Sequence, residues 1–419
     1  MKEKIRQTID AHGTEIIEFG EYVLRHPELG YKEFKTAERV KEEFRKLGIP
    51  YEDGLAITGV KGTCGRPDGI HVCVIGELDA IKCYDHPHAD PETGAAHACG
   101  HHAQLAAMIG AAYGLVKSGA LEELDGRVSF FAVPAEEFAE IEYRQHLVNS
   151  GKITYMAGKQ ELIHIGAFDD VDMAMMIHAH ALTPEPKVFL NGSSLGFRFK
   201  EITFGGKAAH GSEPYYGVNA LNAATMALMG IHANRETFRD GDRVRIHPII
   251  TNGGDLVNVI PDKAVMETYV RAATTEAIDD ACRKVDNAVW GGAQAVGASC
   301  SIRDIPGYAP LDQDRTLSAV FEENVLPLIP QEQIFHYVDM TGSTDMGDLS
   351  QIMPAIQPTM GGFTGALHSK EFQVADPETA YLTAAKILAC TVYDLLKDEG
   401  AKAAEIKAAF AQRQKGCSK

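Results

Sequence analysis

Three apolar runs constrain the fold of this chain more than any other feature. They cover residues 71–78, 127–133 and 172–178, and each suits a strand that is buried on both faces. Helical patterns lie between them, including an Ala-rich one over residues 99–117. Strands that alternate with helices are typical of a mainly parallel sheet. We therefore predict an α/β domain with helices on both faces of such a sheet.

The pattern changes near residue 191. Residues 197–204 alternate apolar and polar side chains, and the segments that follow suit a helix, two strands and a second helix, over 218–234, 243–249, 264–271 and 276–295. This order is typical of a ferredoxin-like α+β sandwich. The first pattern returns near residue 305, with Pro306 and Gly307 as a plausible hinge. We predict one domain of residues 1–190 and 306–419 that is interrupted by an insert at 191–305.

Charge and composition exclude several classes of protein. The 419 residues carry 40 Lys and Arg against 58 Asp and Glu, a formal charge of −18. This argues against binding to nucleic acid or to an anionic membrane, because both require a basic surface. No apolar run is long enough to span a bilayer, and the N-terminal residues lack the apolar core of a signal peptide. We expect a cytoplasmic protein whose eight cysteines do not form a disulfide framework.

The strongest chemical signal is the run HACGHH at residues 97–102. Cys99 and His101 are two residues apart where a loop enters a helix, so both can reach one metal ion. The plainer alternative is a helix cap with surface histidines. A zinc finger is disfavoured because the other cysteines show no CxxC pairing; they are Cys64, Cys73, Cys83, Cys282, Cys300, Cys390 and Cys417.

Three further segments carry side chains suited to metal binding. Glu136 and Glu137 follow the second apolar run, His178 ends the third together with nearby His180, and His368 lies in a Gly-rich loop. Open α/β sheets form their sites at the carboxyl ends of strands. A metal site assembled from dispersed segments is more typical of catalysis than of structure. Each segment alone has a plainer reading as surface or core, and only the combination is specific.

Ordered motifs over nearly the whole chain resemble the dinuclear metalloamidohydrolases. This family includes aminoacylases, hippurate hydrolases, plant auxin-conjugate hydrolases and aminobenzoyl-glutamate hydrolases. The matching motifs are HPELGYKEFKTA at 26–37, GELDAI at 76–81, HACGHH at 97–102, VPAEE at 133–137, GGKAAHGSEPYYGVNAL at 205–221, NVIPD at 258–262, GSTDMGD at 342–348 and LHSKEF at 367–372.

The resemblance implies a role for each matching residue. The implied metal ligands are a bridging Cys99 with His101, Glu137, His178 and His368. Glu136 is the implied general base, and Asp79 orients the ligands. His210 is expected to reach the site of a neighbouring subunit and to stabilise an oxyanion. Asn258 and Arg271 match positions that bind a substrate carboxylate in some relatives. The implied cofactor is one or two divalent ions per chain, zinc, manganese or cobalt.

The chain departs from the family pattern at three places. His102 stands where relatives usually carry Asp or Asn, which makes it a candidate substrate-binding residue and leaves the number of metals open. His180 competes with His178 as a ligand, although the spacing from Asp172 favours His178. The connection at 138–171 is unusually long, and we expect it to line the pocket and to narrow specificity.

The resemblance implies hydrolysis of the amide bond of a small N-acyl amino acid, dipeptide or aminobenzoyl-type conjugate. Two alternatives remain open, a single-metal hydrolytic deaminase of an aromatic amine and a catalytically silent binding protein. The insert has an exposed sheet edge and an amphipathic helix with Leu221, Thr225 and Leu228. We expect it to serve as a lid and to form a homodimer by edge pairing across a two-fold axis.

Overall fold

The computed structural model describes the backbone of residues 1–417 and the side chains of residues 1–415, so the Cys417 side chain lies outside the described part. The strands are β1 Tyr51–Leu55, β2 Gly59–Gly65, β3 Ile70–Glu77, β4 Ile81–Lys82, β5 Ala95–Ala96, β6 Gly126–Val133, β7 Met173–Met175, β8 His178–Ala179, β9 Val188–Leu190, β10 Gly196–Gly205, β11 Arg245–Asn252, β12 Lys263–Ala272, β13 Ser299–Pro306, β14 Ile334–His336, β15 Ala355–Ile356, β16 Thr359–Met360, β17 Phe363–Thr364 and β18 Gln373–Val374. The α-helices are α1 Lys2–Ala11, α2 Gly13–Arg25, α3 Phe34–Leu47, α4 His101–Lys117, α5 Ile141–Asn149, α6 Gly158–His164, α7 Ala220–Ala233, α8 Thr275–Ala295, α9 Arg315–Val325, α10 Met346–Ile352, α11 Ala384–Leu396 and α12 Ala401–Cys417.

The chain divides into two compact units. The first contains residues 1–192, 312–339 and 348–419, and the second contains residues 193–311 and 340–347. None of the helices within the described residues is long and apolar enough to cross a membrane.

The first unit is built on a six-stranded sheet in the order β1-β2-β6-β3-β7-β15. The pairs β6–β3, β3–β7 and β7–β15 are parallel, whereas β1–β2 and β2–β6 are antiparallel. Helices α4 and α11 both contact β3 and β6, whose apolar side chains are buried in the main core. The predicted α/β class with a mainly parallel sheet is confirmed by these pairings. The apolar runs indicated it correctly because near-continuous apolar strands are stable only when both faces of the sheet are covered.

The third predicted strand is shorter than its apolar run. Only Met173–Met175 belongs to the six-stranded sheet, and His178–Ala179 pairs with β16 in a separate four-stranded sheet of order β14-β9-β16-β8. The chain leaves one sheet for the other at residues 176–177 while it keeps its hydrogen bonds to residues 354–358. The prediction of one strand over 172–178 was therefore wrong, since both sheets bury the run and its apolar pattern does not change at the crossing.

The second unit is a four-stranded antiparallel sheet of order β11-β12-β10-β13 with two helices, α7 and α8, packed on it. The element order is the one expected of a ferredoxin-like sandwich. A separate apolar core joins the helices to the sheet and includes Phe204, Ile231 and Val285.

The bounds of this unit differ from the predicted insert at 191–305. Pro306, taken as the hinge, still pairs with Arg198 in the sheet. Phe197 donates its backbone N–H to the Tyr308 carbonyl, which holds the next residues in the same unit. Residues 340–347 join it from far along the chain, because Met340 N–H bonds to the Ser193 carbonyl. The lid and dimerisation roles of this unit stay predictions at this point.

Candidate metal centre

The turn that carries Cys99 requires glycine at its next position. Gly100 has a φ of 88°, and a Cβ there would meet the Ala179 Cβ at 2.5 Å. This close approach brings the loop before α4 against strand β8. Cys99 and His178 consequently face each other although they lie 79 residues apart in sequence.

The Glu136–Glu137 pair follows β6 on a constrained backbone. Ala135 has a φ of 54°, and its N–H donates to the buried carboxyl of Glu33 at 2.9 Å. The Glu137 N–H donates to Asp79 Oδ2 at 2.9 Å. A non-glycine residue with positive φ persists only when its surroundings hold it, and these two contacts supply part of that support.

Arg144 of α5 holds the same loop from another side. Its buried guanidinium donates to the carbonyls of Ala135 and Met156 at 3.4 and 2.6 Å, and also to the Glu137 carbonyl. It lies 5.4 Å from the centroid of the Tyr31 ring. The loop that carries both glutamates is therefore bonded to α5, which comes directly after it in the chain.

Two groups of ligand atoms share Cys99. In the first, Cys99, His101 and His178 place their ligand atoms within 4.8 Å of one another, with 3.6 Å between Cys99 Sγ and His178 Nε2. In the second, His368 Nε2 lies 3.3 Å from Cys99 Sγ and 3.2 Å from Glu137 Oε1. The structure thus brings together the five residues predicted as ligands.

The electrostatics favour ionised ligands. Burial and the Glu137 charge oppose ionisation of Cys99, but His178 and His101 outweigh them and lower the pKa of the thiol to about 6. Contacts with Cys99 and Glu137 raise the pKa of His368 to about 11, so His368 is protonated in the metal-free protein and a metal ion must displace that proton to bind. A thiolate, a carboxylate and three imidazoles at these separations form a donor set that fits a divalent ion such as zinc, manganese or cobalt.

Asp79 connects the two sides of the centre. Its carbonyl accepts from His101 Nδ1 at 2.8 Å, and its carboxylate accepts from the Glu137 N–H. Glu136 is largely buried, and its Oε2 lies 4.0 Å from His101 Nε2. Both residues therefore adjoin the ligand groups, and their roles stay predictions.

His102 and His180 lie outside both ligand groups. His102 is fully buried against His97 and Tyr381, and burial together with the nearby His101 charge lowers its pKa to about 3. Within the described part of the chain neither of its ring nitrogens has a hydrogen-bond partner. His180 stacks on Phe189 at 3.6 Å, which leaves His178 at the centre. The full burial of His102 argues against the predicted contact with substrate.

Three predicted residues belong to the second unit. His210 is exposed, lies 2.7 Å from Ser212 Oγ through its Nδ1, and forms a backbone bridge with Val259. Asn258 lies next to that bridge, and its backbone carbonyl accepts the Gly211 N–H at 2.7 Å. Arg271 on β12 lies 5.2 Å from the Phe197 ring centroid and donates to Ser343 Oγ at 2.8 Å.

Sequence reasoning missed four buried residues around the centre. Glu33 and Glu77 lie inside the motifs HPELGYKEFKTA and GELDAI, but the resemblance implies no role for either. Arg144 and Lys159 lie in the long connection at 138–171 and are buried. This could not be seen from the sequence, because no hydrophobic pattern there marks a charged side chain as buried. Glu77 is a carboxylate at the end of an apolar run, and that position is the one signal that could have found it.

Comparisons with known proteins agree with the fold. Residues 194–290 match the model of the peptidase dimerisation domain of the M20 family. The chain is 26% identical to the Xaa-Arg dipeptidase of Mus musculus, over 94% of this chain and 89% of that protein. It is 24% identical to an IAA-amino acid hydrolase of Arabidopsis thaliana, ILR1-like 5, over 85% of this chain and 79% of that protein.

Solved structures show the same architecture. A Bacillus subtilis protein described as a dinuclear metal binding peptidase from the M20 family superposes with a TM-score of 0.72 at 24% identity, covering 92% of this chain and 99% of that one. The aminobenzoyl-glutamate utilization protein of Klebsiella pneumoniae superposes with a TM-score of 0.68 at 18% identity, covering 93% of this chain and 97% of that one. The resemblance seen in the sequence is confirmed, since the chain contains an M20 peptidase dimerisation domain and its homologues are peptidases and amidohydrolases.

Proposed function

We propose that this protein is a metal-dependent amidohydrolase that cleaves the amide bond of a small N-acyl amino acid, a dipeptide or an aminobenzoyl-glutamate-type conjugate. One observation carries the proposal, the two ligand groups that share Cys99 and adjoin Glu136. The names of the relatives support the substrate class, since they describe a dipeptidase and a hydrolase of amino acid conjugates.

The residues that would hold two divalent ions are Cys99, shared between them, with His101 and His178 on one side and Glu137 and His368 on the other. When bound, divalent ions supply Lewis-acid polarisation of a carbonyl and lower the pKa of water. The metal that serves in the cell is set by availability as well as by these ligands.

Glu136 is the group that moves the proton. Its carboxylate takes a proton from the attacking water and returns it to the nitrogen of the departing amine. The largely buried position of Glu136 keeps this transfer away from bulk solvent. Asp79 holds His101 and the backbone of Glu137 in place, so one carboxylate supports residues on both sides of the centre.

The second unit supplies the remaining roles in this proposal. His210, exposed on its surface, stabilises the oxyanion in the site of a partner subunit of a homodimer. Arg271 and Asn258 bind a substrate carboxylate. Arg271 suits that task because its guanidinium is held between aromatic rings and Ser343, which fixes its orientation.

The experiment pairs metal content with hydrolysis. Protein purified without chelator is analysed for metal and assayed on a panel of N-acyl amino acids and dipeptides, before and after metal removal and after return of zinc, manganese or cobalt. We expect two ions per chain and cleavage that returns with the metal. Release of ammonia without a new carboxylate would instead support the single-metal deaminase.

Glu136→Gln separates the base from the ligands. It should retain its metal and lose at least about 100-fold in kcat, because general bases contribute about 10²–10⁴-fold. Full activity of this variant would refute the proposed role of Glu136. Absence of metal and turnover in the unsubstituted protein would leave the binding-protein alternative.

A further inference from the structure

Glu77 is a buried carboxylate at the end of β3, and its contacts account for both of its oxygens. Oε1 accepts from Lys159 Nζ at 2.5 Å, and Oε2 accepts from Gln104 Nε2 at 2.9 Å. The Glu77 N–H also donates to Gln104 Oε1 at 3.2 Å. Glu77 and Lys159 are both fully buried. Such a pair is costly to desolvate, so a site that retains it calls for an explanation beyond stability.

The explanation lies in the orientation of His101. Its Nδ1 lies 2.8 Å from the Asp79 carbonyl oxygen and donates to it, so Nε2 is the nitrogen that would present a lone pair to a metal ion. Nε2 faces Glu77 Oε2 at 3.1 Å. In the metal-free protein a proton on Nε2 joins the two atoms as an ion pair, and a divalent ion that takes the place of this proton would have both atoms as ligands.

The separation itself is that of two ligands on one ion. Ligand distances of about 2.0–2.2 Å place neighbouring nitrogen and oxygen ligands about 3.0 Å apart at a right angle and about 3.4 Å apart at the tetrahedral angle. His368 Nε2 and Glu137 Oε1, in the other ligand group, are 3.2 Å apart. Glu77, His101 and Glu136 likewise place their ligand atoms within 4.8 Å of one another.

We propose that Glu77 is an oxygen ligand of the ion bound by His101, with Lys159 and Gln104 as its positioning residues. Lys159 offsets the added negative charge, and Gln104 fixes the carboxylate plane through two hydrogen bonds. Lys159 belongs to α6, so the long connection at 138–171 supports the centre from within the protein. The inference rests on the proposed function only in requiring that the centre binds metal.

The test uses cobalt(II) binding to metal-free protein, followed by calorimetry and by visible absorption. Glu77→Gln combined with Lys159→Met removes both buried charges and leaves neither unpaired. Lys152→Met, an exposed lysine of the same connection, is the control. We expect the double variant to bind one of its ions at least about 10-fold more weakly, with altered cobalt bands and an unchanged spectrum in the control.

Each other outcome has a defined meaning. Unchanged affinity and spectrum in the double variant would overturn the assignment, and so would weaker binding with unchanged bands, because Glu77 would then act through charge alone. If the double variant does not fold, Glu77→Asp keeps the charge beside Lys159 and withdraws the oxygen, and the same two readouts decide. Failure of the unsubstituted protein to bind cobalt would overturn the proposed function and this assignment together.

Discussion

Replacing Arg144 with methionine tests whether α5 holds the loop that carries Glu136 and Glu137. The substitution keeps most of the side-chain volume and removes every donor. The Ala135 and Glu137 carbonyls keep one partner each, the N–H groups of Gly158 and Ala139. The buried Met156 carbonyl loses its donor.

The expected cost follows from these three contacts. An orphaned buried carbonyl costs about 1–3 kcal/mol, and each lost bond from a charged donor adds about 1 kcal/mol where a second partner remains. We expect Arg144→Met to lower the free energy of unfolding by about 3–5 kcal/mol. A shift of the glutamates of about 1 Å would lower kcat about 100-fold.

Urea denaturation of the metal-free protein measures the first effect, and turnover of the metal-loaded protein measures the second. Arg144→Lys should recover part of the stability, because one ammonium can reach one of the three carbonyls. Lys152→Met, on an exposed side chain, should match the unsubstituted protein. A loss below about 1 kcal/mol with undiminished turnover would show that Arg144 does not hold this loop, since bonds of this kind are worth more when buried.

Three further predictions follow from the same geometry. Burial and the Asp79 charge raise the pKa of Glu33 to about 7 from 4.5. Between these two pH values the folded state therefore binds more protons than the unfolded state. The contribution of Glu33 to the free energy of unfolding should be full below pH 4.5 and fall by about 3 kcal/mol as the pH rises to 7. Glu33→Gln should abolish that slope in urea midpoints of metal-free protein, and a flat profile before substitution would contradict it. His368→Ala should lose one ion of two by metal analysis, because Cys99 and Glu137 would keep no imidazole on that side, and retention of both would count against the shared-thiolate centre. Light scattering should report a dimer of the 45.5 kDa chain, and a fully active monomer would exclude a role for His210 in a partner's site.

Much of the fold follows from local patterns. Strands β3 and β6 and the element order of the second unit could be predicted from the sequence. Burial of a strand or helix on one or both faces produces a characteristic spacing of apolar residues along the chain. The crossing at residues 176–177 was missed because both sheets bury the run. The extension of the second unit to residues 340–347 was missed because backbone pairing with residues 193–195 leaves no composition signal.

The residue types that meet at the centre can be read from the chain alone, since a thiol, imidazoles and carboxylates at loops and strand ends favour a metal. How these side chains group depends on the packing of distant segments against each other. Cys99 contacts His178, which is 79 positions away in the chain, and His368, which is 269 positions away. His178 joins a ligand group and His180 does not. The fold also placed Lys159 beside Glu77, 82 positions away. Distances of this kind are set by packing between elements, and no local preference of the chain encodes them.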